Sequence, residues 1–348
     1  MTALAQYLES EIDAGSFPGG VALVGSHGDV LAEAAAGASC LEPGREEASP
    51  ATLYDLASLT KPLCTGALAA AAGPALAFDA GPGRYLPAWK RTRYDGITVG
   101  SLLTHTSGLP AWFPLYARGE GAGAYRRTLA ELEPEAKPGE RVIYSDLNFL
   151  VLGDVLETVL GAPLERAFAS LVAEPSSSGA GFGPVPPGSA AATEKGDRFE
   201  RAMTEARGLV YAGFRDGVVR GDVHDGNAFR RGGVAAHAGL FGTARDVWRL
   251  ARTWLEPGRV DYGRDRTTDL SEARGLAWQG RRGAGSAIAR MSARAFGHTG
   301  FTGTSVWIDP EADRVAVLLT NRIHPVVREI PFNDVRQRFH EAVYDAFG

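Results

Sequence analysis

The sequence predicts an α/β protein whose antiparallel sheet is built from both ends of the chain, with a mainly helical region inserted between them. Apolar runs typical of strands lie near both ends, whereas the middle shows helical spacing and loops. Amphipathic patterns at both termini predict helices that flank the sheet. We therefore predict a sheet domain from residues 1–70 and 270–348 and an inserted domain from residues 71–269. The cleft between two such domains is a common ligand site.

The first 78 residues predict a helix, a β-hairpin and a second helix. Residues 1–15 have amphipathic helical spacing. The apolar runs 20–26 and 30–36 flank a short polar turn, a pattern typical of a hairpin. The run 62–78 carries no charge and predicts a helix that begins at Ser58.

The middle of the chain predicts helices joined by long loops. Four segments contain helical spacing: residues 97–104, part of 111–140, 148–160 and part of 239–254. Thr98 and Thr243 are suited to be N-caps, because threonine hydroxyls accept hydrogen bonds from the first helical N–H groups. Residues 175–197 and 213–233 are rich in small and polar residues and predict loops.

Strand patterns return in the last quarter of the sequence. They cover residues 276–279, 295–298, 304–308 and 315–320. Residues 332–347 then predict an amphipathic helix.

Composition excludes several classes of protein. Of 348 residues, 45% are hydrophobic and 22% are charged, as in globular proteins. The net charge of -5 gives no basis for a nucleic-acid partner. Two cysteines, Cys40 and Cys64, do not make a disulfide framework or a zinc site. We expect no metal, no cofactor and no membrane span, and the oligomeric state stays open.

The N-terminus lacks a basic region followed by an apolar one, so it is not read as a signal peptide. We therefore expect a soluble, cytoplasmic protein. A trimmed signal peptide would leave the same sequence, so an exported form stays open as an alternative.

Ser58 and Lys61 form an S-x-x-K pattern that no other serine in the chain shares. Residues three apart lie on one face of a helix, which would place the lysine amine beside the serine hydroxyl. A serine becomes a nucleophile when a neighbouring base takes its proton. Burial lowers the pKa of a lysine and so suits it to that role. With two fixed positions, the pattern alone is better explained by a helix cap followed by a surface lysine, so the catalytic interpretation depends on partner residues elsewhere in the chain.

Two further stretches extend the pattern: Tyr144-Ser145-Asp146 before a predicted helix, and His298-Thr299-Gly300 on a predicted edge strand. In the order S-x-x-K, Y-S-D, H-T-G, the sequence resembles the serine β-lactamase and penicillin-binding-protein superfamily. It is most similar to the class C β-lactamases, D,D-carboxypeptidases and β-lactamase-like carboxylesterases. The resemblance covers nearly the whole chain and implies the β-lactamase/transpeptidase-like fold.

The resemblance implies roles for the residues of these motifs. Ser58 would be the acylated nucleophile, and Lys61 and Tyr144 would take its proton and later activate water. The backbone N–H groups of Ser58 and Phe301 would form the oxyanion hole.

The third motif and the end of the second would bind substrate. His298, Thr299 and Gly300 would line the strand that pairs with the substrate, and Asp146 would be the polar residue of the central triplet. Many β-lactamases have lysine in place of His298 and asparagine in place of Asp146. A neutral histidine and an ionised aspartate make the site more negative, which disfavours an anionic substrate. Asp146 would also help to keep Lys61 charged, which weakens Lys61 as the base unless Tyr144 takes that role. This shifts the prediction from β-lactamase to esterase or peptidase.

The remaining candidates have a structural and a functional interpretation. We interpret His105 as a buried hydrogen-bonding residue in a turn typical of the family. His224 and His237 could suggest a metal site, but we interpret them as structural, because no H-E-x-x-H pattern or cysteine partner accompanies them. Aromatic residues in the loop after residue 110, Trp112 and Tyr116 among them, fit an acyl pocket or the core equally.

We therefore predict a cofactor-free serine hydrolase that forms an acyl-enzyme, acting on small esters or D-amino-acid peptides. A β-lactamase or a D,D-carboxypeptidase is the alternative within the same class. A ligand-binding protein that has the fold without turnover is the alternative of another class.

Overall fold

The sheet of this protein joins segments from the two ends of the sequence. The structure is a computed structural model, and it describes residues 2–90 and 96–348. In these ranges a seven-stranded antiparallel sheet has the order β3-β2-β1-β10-β9-β8-β7, and a three-stranded sheet has the order β4-β6-β5. The strands are β1 Gly19–Gly25, β2 Val30–Cys40, β3 Glu46–Glu47, β4 Tyr54–Asp55, β5 Gly181–Phe182, β6 Leu240–Gly242, β7 Gln279–Gly280, β8 Phe296–Thr299, β9 Ser305–Asp309 and β10 Arg314–Thr320.

Helices cover both faces of the larger sheet and fill the middle of the described chain. The α-helices are α1 Ala3–Asp13, α2 Ala67–Ala72, α3 Val99–Leu103, α4 Gly121–Glu131, α5 Asp146–Leu160, α6 Leu164–Phe168, α7 Arg198–Glu205, α8 Gly226–Arg230, α9 Ala244–Arg252 and α10 Phe332–Phe347.

Strand β1 pairs with β10 at the centre of the sheet, with Val21 opposite Leu319 and Leu23 opposite Val317. All seven residues of β1 are buried, because both faces of the sheet are covered. Alternating residues of the two strands enter different cores: Ala22 packs in the cluster that contains residues of α1 and α10, and Val21 packs in the larger cluster that contains residues of α9. The period of two along a strand produces this division.

Most predicted elements are confirmed. The N-terminal hairpin is β1 and β2, and α10 has the predicted bounds, Phe332–Phe347. Thr98 and Thr243 both cap helices, and each is part of a reciprocal capping box. The four C-terminal strand patterns correspond to β7, β8, β9 and β10, with ends shifted by up to three residues.

The helix predicted from Ser58 through residue 78 is wrong as a continuous element. The segment begins with the 3₁₀ turn Ala57–Leu59, widens into the π-helical turn Lys61–Gly66, and is α-helical only in α2. It ends at Gly73, whose φ of 52° leaves the helical region and which Pro74 follows. The segment therefore places Ser58 in a tight turn instead of in a regular helix.

Several short elements are absent from the prediction. Strands β4, β5 and β6 contain two or three residues each, too few to show an alternating pattern. Helix α7 lies within a stretch of small and charged residues, and α8 lies within a predicted loop.

No single helix of the described residues is both long and apolar enough to span a membrane. The bent pair Asp146–Leu160 and Leu164–Ala173, with 71° between its halves, meets the length and composition criteria only when taken together. The two-domain division at residues 70 and 270 stays a prediction, and β6 of the inserted region pairs with β4 of the first segment.

Candidate active site

Ser58 lies in a turn whose backbone is fixed by short hydrogen bonds. The preceding residue, Ala57, has a φ of 47°, a left-handed conformation that is unfavourable for alanine. The Asp55 carboxylate accepts a hydrogen bond from the Ala57 N–H at 2.9 Å. The Thr302 hydroxyl donates to the Asp55 carbonyl at 2.8 Å, and the Thr304 hydroxyl donates to the carbonyl of residue 56 at 3.1 Å. The turn after β8 is thus attached to the turn that holds Ser58.

Lys61 has no exposed side-chain surface and lies against Ser58. Its Nζ donates to Ser58 Oγ at 2.8 Å and approaches the His237 carbonyl at 3.4 Å. Nζ is also 2.6 Å from Asp146 Oδ1 and 4.9 Å from the centre of the Tyr144 ring. The first helical turns after Ser58 place the amine and the hydroxyl together, as predicted from the spacing of the motif.

Two opposing effects set the charge of Lys61, and the outcome agrees with the expectation that Asp146 keeps it charged. Burial is the largest single effect and does favour the neutral amine, but the Asp146 carboxylate and Tyr144 outweigh it, so the pKa of Lys61 is raised. Lys61 is therefore an ammonium ion at neutral pH. A charged lysine donates a hydrogen bond to Ser58 and does not accept its proton.

Tyr144 is held in a stack of aromatic and cationic groups. Its ring centre lies 4.6 Å from that of His105 and 5.8 Å from that of His298, and the Arg274 guanidinium is 5.4 Å from it. The neighbouring Ser145 N–H donates to His105 Nδ1 at 2.9 Å. His105 is thus a buried structural residue that positions the Y-S-D stretch, in agreement with its interpretation from the sequence.

His298 is buried and neutral. Its Nδ1–H donates to the Thr299 carbonyl at 2.8 Å, which fixes the tautomer. Burial lowers the pKa of His298 well below its usual value, and the nearby charges of Lys61 and Arg274 lower it further. The neutral state assumed for this residue from the sequence follows from both effects.

The two backbone N–H groups predicted for the oxyanion hole are available. Within residues 2–90 and 96–348, neither the Ser58 N–H nor the Phe301 N–H donates a hydrogen bond to another residue. Gly300 has no space for a side chain, because a Cβ there would lie 2.1 Å from Thr304 Oγ1. The glycine therefore allows the Phe301 turn to approach the Ser58 turn.

One cleft of about 370 Å³ brings most of the predicted site residues together. Its lining includes Ser58, Tyr144, Asp146, Thr299, Gly300 and Phe301. Lys61 and His298 are buried instead of lining the cleft. Trp112, Phe199 and Met203 add an apolar wall. Tyr116 is a buried core residue whose hydroxyl donates to Glu200 at 2.9 Å, so of the loop aromatics considered, Trp112 is the one that lines the cleft.

Two acids that line the same cleft, Glu200 and Asp225, were not predicted from the sequence as site residues. Glu200 accepts from the Gly226 N–H at 2.6 Å, and burial together with the charge of Asp225 raises the pKa of Glu200 to about 7. Asp225 caps α8 and pairs with His237 Nε2 at 2.9 Å. Burial alone would raise the pKa of Asp225, but His237 and the capping bond outweigh burial, and the pKa is lowered.

His224 has a partner as well: its Nε2 is 2.9 Å from the Glu194 carboxylate, and its ring stacks on Phe301 with 5.6 Å between the ring centres. His224 and His237 are thus engaged with carboxylates, in line with their structural interpretation. In the part of the chain that the structure describes, no three histidine, cysteine or acidic residues are arranged to hold a metal ion.

Comparison with known proteins identifies the family to which this chain belongs. A family model described as Beta-lactamase matches residues 4–336. An N-acetylmuramyl-L-alanine amidase of Bacillus subtilis (strain 168) is 31% identical over 370 residues, covering 92% of this chain and 81% of the relative. A putative D-alanyl-D-alanine carboxypeptidase of Escherichia coli (strain K12) is 31% identical over 321 residues, covering 81% of this chain and 72% of the relative. The solved structure of EstCE1, a hydrolase with promiscuous acyltransferase activity, has a TM-score of 0.73 at 23% identity and covers 96% of this chain and 97% of its own.

Proposed function

We propose that this chain, which belongs to the Beta-lactamase family, hydrolyses acyl substrates through a covalent ester on Ser58. Hydrolase activity of the β-lactamase-like type follows from the family and from the relatives named above. The assignment of Ser58 rests on one observation: its hydroxyl is 2.8 Å from a fully buried lysine, in a turn that lines a cleft beside two free backbone N–H groups.

The charge of Lys61 suggests how the proton moves. Because Asp146 holds Lys61 in the ammonium form, Lys61 would orient and polarise the Ser58 hydroxyl. Tyr144, acting as a phenolate, would receive the Ser58 proton and become a neutral phenol. Ser58 Oγ would then attack the acyl carbon while the Ser58 and Phe301 N–H groups stabilise the oxyanion. Tyr144 would return the proton to the leaving group. A water molecule, activated by the same groups, would release the acid and restore Ser58.

Small esters and D-amino-acid peptides are the substrate classes we propose. Trp112, Phe199 and Met203 supply an apolar wall suited to an acyl chain. A neutral His298 beside the acidic Asp146 provides no cation for an anionic substrate group on that strand. One relative is named as an amidase, and one structural neighbour is described as a hydrolase with promiscuous acyltransferase activity; both descriptions support chemistry on acyl groups.

A second candidate is a D,D-carboxypeptidase, and one observation favours it. Arg322 lines the cleft, and within the described ranges its guanidinium has no carboxylate in ion-pair distance. Such a cation can bind the carboxylate at the end of a peptide. The curated relative from Escherichia coli is named for that activity. A panel of neutral esters, D-amino-acid anilides and D-alanyl-D-alanine peptides would separate the two candidates.

Labelling with a fluorophosphonate tests the central assignment. We expect one adduct per chain by intact mass, located on Ser58 by peptide mapping. Ser58→Ala should abolish it, and Ser170→Ala, at an exposed helical serine, should leave it unchanged. Label on another serine would overturn the assignment. Failure to label any serine would favour a ligand-binding protein without turnover.

A further inference from the structure

The peptide group between Gly300 and Phe301 faces two ways. Its N–H is one of the two free donors at the cleft, and its carbonyl belongs to the same planar unit and points the opposite way. A hydrogen bond accepted by the carbonyl polarises the unit and strengthens the N–H as a donor. What binds the Gly300 carbonyl therefore affects the proposed oxyanion hole directly.

That carbonyl accepts a hydrogen bond from Arg336 of α10. Arg336 Nη2 donates to the Gly300 carbonyl at 2.9 Å and to the Thr304 carbonyl at 3.2 Å. Nη1 donates to Asn333 Oδ1 at 3.1 Å, so the guanidinium plane is fixed from the other side. One side chain thus holds both ends of the turn that carries Phe301.

The guanidinium is in an unusual setting for a cation. Arg336 is 6% exposed, and no carboxylate of the described residues lies within ion-pair distance of it. Burying a cation without an anionic partner costs free energy unless dipoles replace the anion. Here the carbonyl dipoles of Gly300 and Thr304 take that place, so the positive charge acts on the peptide groups of the turn.

We infer that Arg336 is a positioning residue for catalysis: its guanidinium orients and polarises the Gly300–Phe301 peptide so that the Phe301 N–H stabilises the oxyanion. This rests on the proposed function of the cleft. Removing one donor of an oxyanion hole costs about 10²–10³-fold in kcat. Because the Phe301 N–H itself remains when Arg336 is replaced, we expect a smaller loss, roughly 10- to 100-fold.

The test compares Arg336→Met with Arg338→Met. Both lie on α10 and lose one positive charge, but Arg338 is bound to Glu11, away from the cleft. With a neutral nitrophenyl ester, Arg336→Met should lower kcat and leave KM within about twofold, because the oxyanion forms only in the transition state. A boronic acid, whose adduct on Ser58 has an oxygen in the oxyanion position, should bind more weakly by a similar factor. Arg338→Met should match wild type in all three measurements.

Kinetics with a neutral ester and with a carboxylate-bearing ester distinguish this positioning role from direct binding of the substrate by Arg336. If Arg336 acts through the peptide, both esters lose kcat equally. A raised KM for the carboxylate ester alone would overturn the inference, and so would a wild-type kcat in Arg336→Met. Arg336→Lys retains the positive charge but lacks the guanidinium that bonds both carbonyls, and it replaces the methionine variant if that variant does not fold. An unchanged kcat in folded Arg336→Lys would also refute the inference. If the fluorophosphonate does not label Ser58 in the wild type, the proposed function is wrong. If Ser58 is labelled normally and the Arg336 variant has wild-type kcat, the proposed function stands and only the inference about Arg336 is wrong.

Discussion

Replacing Gly300 by alanine should separate the two halves of the active site. An ideal Cβ at this position would lie 2.1 Å from Thr304 Oγ1, 2.8 Å from the Leu56 carbonyl oxygen and 3.3 Å from Ala57 Cβ. An ordinary contact is about 3.4 Å, so the Thr304 hydroxyl must move by about 1.3 Å. Rotation of the Thr304 side chain would break its hydrogen bond to the Leu56 carbonyl. The Leu56 carbonyl belongs to the backbone, so it can give way only if the backbone itself moves.

The magnitude follows from these contacts. Overpacking of this kind costs about 1–3 kcal/mol of stability. Displacement of the Phe301 turn by about 1 Å removes one oxyanion donor from its position, which should lower kcat by about 10²–10³-fold. The expected result is therefore a folded protein with a modestly lowered melting temperature and a large loss of activity.

Steady-state kinetics on a neutral nitrophenyl ester and a thermal melt measure both quantities. Gly188→Ala is the matched control, because a Cβ at residue 188 meets nothing within 4 Å. It should change neither activity nor stability. Wild-type kcat in Gly300→Ala would refute the reasoning, since the turn would then tolerate the movement or the Phe301 N–H would not participate.

Three further predictions concern charge and protons. Lys61→Ala and Tyr144→Phe should each slow acylation by about 10²–10⁴-fold, measured by stopped-flow labelling. The rate loss in the double variant should be smaller than the product of the two single losses, because both residues serve one proton transfer; a loss equal to the product would mean that they act separately. The pKa of Glu200 is raised from 4.5 to about 7, so between these pH values the folded protein keeps a proton on Glu200 that the unfolded chain loses. The contribution of Glu200 to the free energy of unfolding therefore falls as pH rises through this range. In Glu200→Gln the decrease in unfolding free energy from pH 4.5 to 7.5, measured by urea titration, should be smaller, and an equal decrease would contradict the shift. Finally, wild type should have a higher kcat/KM for a neutral acyl ester than for an anionic cephalosporin. The double variant His298→Lys, Asp146→Asn should shift the ratio of these two kcat/KM values towards the cephalosporin by about 1–3 kcal/mol, and by less at high salt. An unchanged ratio would mean that the loops determine the choice of substrate.

Local signals in the sequence predicted most of the sheet and several helices. The hairpin and α10 have strong periodicity, and Thr98 and Thr243 have the chemistry of N-caps. The short strands β4 to β6 have no periodicity to detect, since tertiary pairing alone defines them. The π-helical turn after Ser58 lies within the uncharged run from which a helix was predicted, and the pattern of that run does not distinguish a π-helical turn from an α-helical one.

The site was predictable as far as motifs identify residues. The spacing of Ser58 and Lys61 predicted their contact. The charged state of Lys61 was expected from the resemblance and not from the spacing, because it depends on an aspartate 85 positions away in sequence approaching to 2.6 Å. Glu200 could not be placed, since α7 was not predicted. Arg336 lies on the correctly predicted α10, yet the sequence carries no indication that its guanidinium reaches the Gly300 carbonyl.

The pairing of β1 with β10 also constrains the order in which the protein can fold. Val21 pairs with Leu319, and the loop that this contact closes contains nearly the whole molecule. Such a high contact order makes folding slow, because the entropy of closing the loop is lost before most native contacts form. During synthesis, the Ser58 turn emerges long before the Phe301 turn to which Thr302 and Thr304 attach it. The nascent chain therefore acquires its nucleophile early and becomes competent only when residues near 300–320 have joined the sheet.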